Sequence, residues 1–315
     1  MTDEEVLERV RALAIPPAWE NVWICPFPMG HIQATGVDAA GRKQYRYHDR
    51  WRERRDAQKF ESMVGFARAL PRLRKRVTRD LARDDMSRDR VLGGAVRLLD
   101  RGFFRIGSED YAEQNESYGL ATIRKDHVTV SDGAMAFRYD AKGGKSQEYR
   151  LIDHDALGLV DALKRRRGGG PELLAYKQGS RWTDVKSTDI NQYLKQAAGG
   201  DFSAKDFRTW NATVFAALAL SVSAEVAGGS QTARKRAIKR AIEEVAGLLG
   251  NTPAVCRASY IDPRVFDRFD GGLTIAGVLP ELADDGAWPM VHRSVEEGVL
   301  DLLAGDRDSY AVEKA

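Results

Sequence analysis

From Ala212 to Val226 the chain reads ATVFAALALSVSAEV. A segment this apolar has almost no face fit for water, so it suits a helix buried on most of its circumference. Its unbroken apolar part, Val214 to Leu220, is far too short to cross a bilayer, so the core that buries it must be protein. The chain has 315 residues, enough for two domains, each with its own core. With 43% apolar and 30% charged residues it reads as a soluble globular protein rather than a disordered or membrane one. The N-terminal MTDEEVLERV is acidic and lacks the apolar stretch of a secretory signal. Cys25 and Cys256 lie far apart with no metal-type spacing, which fits a reducing cytoplasm and no structural disulfide. Five scattered histidines complete no zinc pattern.

Local patterns divide the chain. Thr2 is suited to cap a first helix, with Val6, Val10 and Leu13 at helical spacing and Pro16–Pro17 as its stop. Three short β-like runs follow, residues 21–25, 31–36 and 42–48, broken by Pro26, Pro28 and Gly30 and then by Asp38–Gly41. In the third run Lys43, Tyr45 and Tyr47 alternate with Arg42, Gln44 and Arg46. One face is therefore aromatic and the other polar, which suits contacts to nucleic acid and equally suits an exposed half-buried sheet. From Trp51 to about Asp100 the pattern is helical, and the mixed charges of residues 83–90 read as a solvated helix. Strands are expected over 127–130, 135–139 and 147–152, with Lys142 at the turn that Gly143 and Gly144 loosen. A long amphipathic helix spans Thr232–Leu249, ended by Gly250. Apolar residues recur at Val299–Leu303, and residues 306–315 read as a frayed polar end. The expected fold class is α+β: a small N-terminal β-sheet domain, residues 1–75, and a larger, mainly α-helical domain with a small sheet of its own, residues 76–315, linked through Phe66–Arg76.

The net charge of +3 is modest, but basic residues cluster at 50–55, 72–76, 164–167 and 234–240. Each cluster alone reads as a solvated face; several on one chain suit a polyanion partner. Gly144-Lys145-Ser146 imitates the end of a nucleotide P-loop, but Tyr139 stands where that motif needs a glycine, so ATP binding is rejected. Arg105, set among apolar neighbours in RGFFRIG, is either salt-bridged or facing an anion. Arg208 in KDFRTWN stands at the head of the apolar helix, where helix N-termini already favour anions. Tyr260 lies in GNTPAVCRASYIDPR, residues 250–264, after Asn251. A lone tyrosine there would be read as packing; its company suggests a nucleophile.

That company is carried by five stretches: GRKQYRYH (41–48), FFRIG (103–107), AKGGKSQEY (141–149), KDFRTWN (205–211), and NTP with SYIDP (251–253, 259–263). In order and spacing they resemble the type IB DNA topoisomerases, in their bacterial, poxvirus-like branch, over nearly the whole chain. The resemblance implies the catalytic fold shared with tyrosine recombinases. It implies double-stranded DNA as substrate, and relaxation of supercoils by transient single-strand cleavage, swivelling and religation. Tyr260 would attack a phosphodiester to give a 3′-phosphotyrosyl link. Arg105, Arg208 and Asn251 would steady the phosphate, and Lys142 would protonate the departing 5′-oxygen. Lys205 would touch the backbone phosphate; Gln44 and Tyr45 match positions that contact bases. The resemblance further implies no metal, no ATP or other cofactor, no membrane, a monomer, and a cytoplasmic location at the nucleoid. The acidic pairs Asp84–Asp85, Glu243–Glu244 and Asp284–Asp285 fit solvated faces better than a two-metal site. Two departures stand out: Asn251 replaces a frequent histidine, and Trp210 a frequent tyrosine, the latter read as a packing change. Two rivals remain open. A tyrosine recombinase would carry His-x-x-Arg at the second arginine, where this chain has Lys205. A passive DNA binder would keep Tyr260 merely packed.

Overall fold

A computed structural model describes residues 3–141, 143–227, 230–285 and 292–314. The chain divides into two compact units, Met1–Ser62 and Met63–Ala315. Helix α1 (Glu4–Ala12) opens the first unit; Asp3 caps it by accepting from the Glu5 N–H, and Thr2, the expected cap, lies outside the described residues. Strands β1 (Glu20–Ile24), β2 (Ile32–Val37) and β3 (Lys43–Tyr47) form an antiparallel meander in that order. The β1–β2 loop is pinned from beneath by buried Gln33, whose amide nitrogen donates to Gly30 O at 2.6 Å and Pro28 O at 2.9 Å. On β3 the alternation separates faces as the sequence suggests. Tyr45 stacks on Tyr47, and Tyr47 stacks on Trp51 at 4.4 Å.

Helix α2 (Asp49–Leu81) runs on through Ser62. The stretch 66–76, expected as an interdomain link, is helical throughout. The charged residues 83–90 are not one solvated helix: Arg83–Asp85 lie in the break before α3 (Arg88–Arg101), and Asp85 turns back to accept from Ser87. A short helix α4 (Glu109–Asn115) leads to the meander β4 (Val128–Ser131), β5 (Ala134–Ala141) and β6 (Lys145–Leu151). After α5 (His154–Arg165), a hairpin of β7 (Ala175–Gln178) and β8 (Arg181–Asp184) appears where no strand is expected from sequence. Buried Arg166 organises its approach by donating to Leu173 O at 2.8 Å.

Helix α6 (Ser187–Ala198) precedes α7 (Ala204–Ala227), the apolar helix, which packs against α8 (Gln231–Leu249). Phe207, Trp210, Val214 and Leu220 are each at most 1% exposed, so α7 lies at the centre of the second unit. Trp210 is more than a size change: its indole N–H donates to Glu296 Oε1 at 2.9 Å, and Glu296 and Asp100 together bracket Arg74. Two short helices, α9 (Pro253–Ser259) and α10 (Pro263–Asp270), precede β9 (Leu273–Thr274) and α11 (Leu279–Asp285). Helix α12 (Arg293–Ala304) packs on α10 and α7. The terminus is not frayed as expected: Ala311 is 1% exposed, and β10 (Glu313–Lys314) pairs antiparallel with β9. Those last apolar residues find a place against the α12 end of the core, which outweighs the entropy of ordering a tail. Among the described residues no helix is long and apolar enough to cross a membrane.

Candidate active site

Tyr260 owes its position to two proline-started helices. Thr252 caps α9, its hydroxyl accepting from the Val255 N–H, and Pro253 occupies the first turn. Asp262 caps α10 by accepting from the Arg264 N–H at 2.9 Å, again followed by proline. NTP and YIDP are therefore two helix-start signals, and Tyr260 sits in the joint between them. The joint is fixed from α7. The Thr213 hydroxyl accepts the Asp262 N–H at 3.1 Å and lies 3.4 Å from the Tyr260 carbonyl oxygen. Asp262 is fully buried and paired with Arg264 at 2.7 Å, and Ile261 is fully buried. The backbone on both sides of the phenol is thus immobilised while the side chain stays half-buried.

Asn251 is placed by the end of α8. Gly250 adopts a left-handed conformation, φ +63°, which only glycine takes without cost. Its N–H bonds to Gly247 O at 3.1 Å and that of Asn251 to Ala246 O at 3.0 Å, a Schellman closure. Arg105 comes from the irregular segment after α3. Phe103 and Phe104 on its N-terminal side are buried, with Phe104 edge-on to Phe137. On its C-terminal side Leu120 N–H bonds to Arg105 O at 2.8 Å and Ala121 N–H to Ile106 O at 2.7 Å. Gly107 and Gly119 meet backbone to backbone, where a Cβ on either would collide. Arg208, in the second turn of α7, is 4% exposed.

These four side chains converge. Arg105 donates to Asn251 Oδ1. Arg208 donates through Nη1 to Phe103 O and through Nη2 to Leu249 O at 2.9 Å, so it ties together the segments that carry Arg105 and Asn251. Its guanidinium carbon lies 5.2 Å from the centre of the Tyr260 ring. With exposed Lys205 they line one cavity of about 450 Å³, into which no described carboxylate projects. Two donors there are buried without a full hydrogen-bond partner: Arg208 Nε and Asn251 Nδ2. A cavity with spare donors and three cations is built to receive an anion with several acceptor oxygens.

The same charges act on the phenol. Burial alone would raise the Tyr260 pKa, but the Arg208 cation and its hydrogen bond, the nearby Asn251 amide and the Arg105 charge outweigh it and hold the phenol below its ordinary value. Tyr139 and Tyr149 also feel both arginines, yet burial prevails and pushes both upward. Burial, partly offset by Tyr260, draws the Arg208 guanidinium down from its usual range.

Of the residues singled out from sequence, Arg105, Lys205, Arg208, Asn251 and Tyr260 share this cavity. Lys142 lies outside the described residues; Gly143 and Gly144 are left-handed, at φ +85° and +68°. Gln44 and Tyr45 belong to the first unit. The Gln44 amide is occupied by Asp38 Oδ2 at 2.9 Å, whereas Tyr45 is exposed. Thr213 escaped the sequence reading. Nothing in an apolar helix run distinguishes a hydroxyl bonded only to its own helix from one that holds a distant turn.

Residues 48–270 match the family described as the eukaryotic DNA topoisomerase I catalytic core, and residues 1–38 match the bacterial DNA topoisomerase IB N-terminal domain. The chain is 32% identical over 261 residues to DNA topoisomerase 1B of Acanthamoeba polyphaga mimivirus, covering 81% of this chain and 77% of that protein. It is 21% identical over 271 residues to DNA topoisomerase I of Monkeypox virus, and 20% identical to DNA topoisomerase 1B of Vaccinia virus (strain Copenhagen), in both cases covering 84% of this chain and 81% of the relative.

Proposed function

The chain belongs to the type IB DNA topoisomerases, and from that premise we propose that Tyr260 is its nucleophile and that Arg105, Lys142, Arg208 and Asn251 complete its catalytic machinery. It relaxes supercoiled duplex DNA by the family's general route: one strand is cut through a 3′-phosphotyrosyl intermediate, the duplex swivels, and the strand is rejoined.

The observation that supports the assignment best is the meeting of Arg105, Arg208 and Asn251 around a phenol held below its ordinary pKa. In the cleavage step the Tyr260 oxygen, having lost its proton to solvent water, forms a bond to phosphorus. The bond from phosphorus to the 5′-oxygen breaks, and that oxygen leaves with a proton from the Lys142 ammonium. In religation the 5′-hydroxyl returns its proton to Lys142 and displaces the phenolate. Between these events the phosphodiester energy is conserved in the phosphotyrosine. Charge grows on the non-bridging oxygens as the phosphorus becomes five-coordinate. The spare Arg208 Nε and Asn251 Nδ2 donors, with the Arg105 fork, meet that charge. Asn251 donates without carrying a charge, so unlike a histidine it adds no titration near neutral pH.

Lys205, exposed at the rim of the cavity, contacts the backbone phosphate next to the cut. Tyr45 offers its exposed ring to the bases, and Gln44 joins it after exchanging Asp38 for a base edge. The first unit, Met1–Ser62, acts as the clamp domain and the second, Met63–Ala315, as the catalytic domain of a monomer working on the nucleoid.

Peptide mapping tests the assignment. When denaturant traps the covalent complex and trypsin digests it, the nucleotide is expected on the peptide from Ala258 to Arg264, whose sole tyrosine is Tyr260. An adduct recovered on any other peptide contradicts the proposal.

A further inference from the structure

Tyr149 closes the stretch 141–149 and takes no part in the chemistry proposed above. Its surroundings tie it to the active site all the same. A helix leaves its last carbonyls without partners of its own, and they carry the negative end of its dipole. At the end of α8 the closing turn satisfies Ala246 O and Gly247 O from the Asn251 and Gly250 N–H groups. The next three carbonyls are consecutive, and each meets a side-chain donor from a different part of the catalytic unit. Arg208 Nη2 donates to Leu249 O at 2.9 Å, and Arg105 Nη2 to Gly250 O at 3.4 Å. Leu248 O has the Tyr149 hydroxyl, 3.4 Å away. Two of these donors belong to the phosphate site. The third comes from β6, the strand that follows Lys142 in the β5–β6 connection.

Neighbouring side chains hold this contact in place. Gln147 and Tyr149 are two apart on β6 and so share one face. The Tyr149 hydroxyl donates to Gln147 Oε1 at 2.8 Å, so its one proton serves two acceptors, the nearer on its own strand and the farther on α8. The Gln147 amide lies against Gly250, where a Cβ would strike it. The Tyr149 ring packs at 5.0 Å on Phe104, the residue before Arg105. Tyr149 thus touches both the segment that carries Arg105 and the helix end that carries Asn251. Burial pushes its phenol upward despite both arginines, so the hydroxyl keeps the proton it donates. A phenylalanine would fill the same space against Phe104, but only a hydroxyl can donate to α8. Strand β6 pairs with β5 from Leu151 opposite Met135 to Lys145 opposite Ala141, so whatever fixes Tyr149 fixes the hairpin as one piece.

We propose that Tyr149 is a positioning residue: its hydroxyl docks the β5–β6 hairpin on the C-terminal end of α8 and so sets the reach of the Lys142 ammonium to the departing 5′-oxygen, an inference that rests on Lys142 being the acid. One helix end then serves both halves of the reaction. It holds the two guanidiniums that meet the phosphate oxygens and, one carbonyl earlier, the hairpin that brings the proton. Proton transfer needs hydrogen-bond reach, so a hairpin without this tether loses rate only where a proton must be delivered.

The test compares two leaving groups in single-turnover cleavage, with Tyr149→Phe, Lys142→Ala and the wild-type chain side by side. Tyr149→Phe should slow an ordinary strand about tenfold, short of the 10²–10⁴ expected for loss of the acid itself. It should leave a strand with a 5′-thiolate leaving group unaffected, and keep the wild-type duplex affinity and melting temperature. Added to Lys142→Ala, it should slow the ordinary strand no further, since the group it positions is already gone. A Tyr149→Phe variant that slows both strands alike, or neither, overturns the inference. If Lys142→Ala spares the thiolate strand and Tyr149→Phe does not, positioning by Tyr149 fails while the acid role stands. If Lys142→Ala itself slows both strands alike, the acid role fails and the inference with it.

Discussion

Arg208 has three uses for one guanidinium: Nη1 holds the Phe103 carbonyl, Nη2 holds the Leu249 carbonyl, and Nε, buried without a hydrogen-bond partner, is the donor that the proposed mechanism gives to the phosphate. Replacing it therefore has separable consequences. Arg208→Ala should lower the cleavage rate by about 10²–10³, as loss of one transition-state donor does elsewhere. It should also raise the Tyr260 pKa, because the largest influence opposing burial is removed. The rising limb of the pH–rate profile then moves to higher pH than in the wild-type chain. A limb that stays in place would show that Arg208 does not assist ionisation. Lys142→Ala should slow cleavage of an ordinary strand by about 10²–10⁴. It should scarcely affect a strand with a 5′-thiolate leaving group, which departs without a proton. Equal slowing of both would remove Lys142 from the role of acid. At this scale the sequence was informative where a residue's type is odd for its place, as with Arg105 between phenylalanines and a glycine. It was silent on Thr213, whose partners across 47 and 49 positions are set by packing alone.

Among the elements, the end of α8 is the most exacting. Gly250 is left-handed, and a Cβ there would also press on the Gln147 side chain, which accepts the Tyr149 hydroxyl at 2.8 Å. Gly250→Val should destabilise the fold by at least about 1–2 kcal/mol from backbone conformation alone. It should also disturb Asn251, so that cleavage falls together with thermal stability. A variant as stable and active as the wild type would contradict the placement of Asn251 by this turn. The two proline-started helices, seven and eight residues long, went unread, but the α8 stop was legible, because glycine acts through local geometry. So were both three-stranded meanders, from alternation and turn residues. The β7–β8 hairpin was not, since its strands are four residues each and Arg166 and the neighbouring core, rather than a strong period, hold them. The β9–β10 pairing was hidden too: two-residue strands from distant segments leave no pattern at all.

At the level of the whole molecule, the apolar α7 run foretold a central helix, and the family resemblance carried the rest of the catalytic architecture. The chain falls into units at Ser62, within a helix whose charge pattern continues across the boundary, so composition alone gave no mark there. The account as a whole rests on one phenol, and plasmid relaxation by Tyr260→Phe beside the wild-type chain tests it most directly. The hydroxyl is lost while the ring stays under Arg208, so the variant should retard DNA as well as the wild type does and release no relaxed topoisomers. Relaxation by Tyr260→Phe at the wild-type rate would contradict the account.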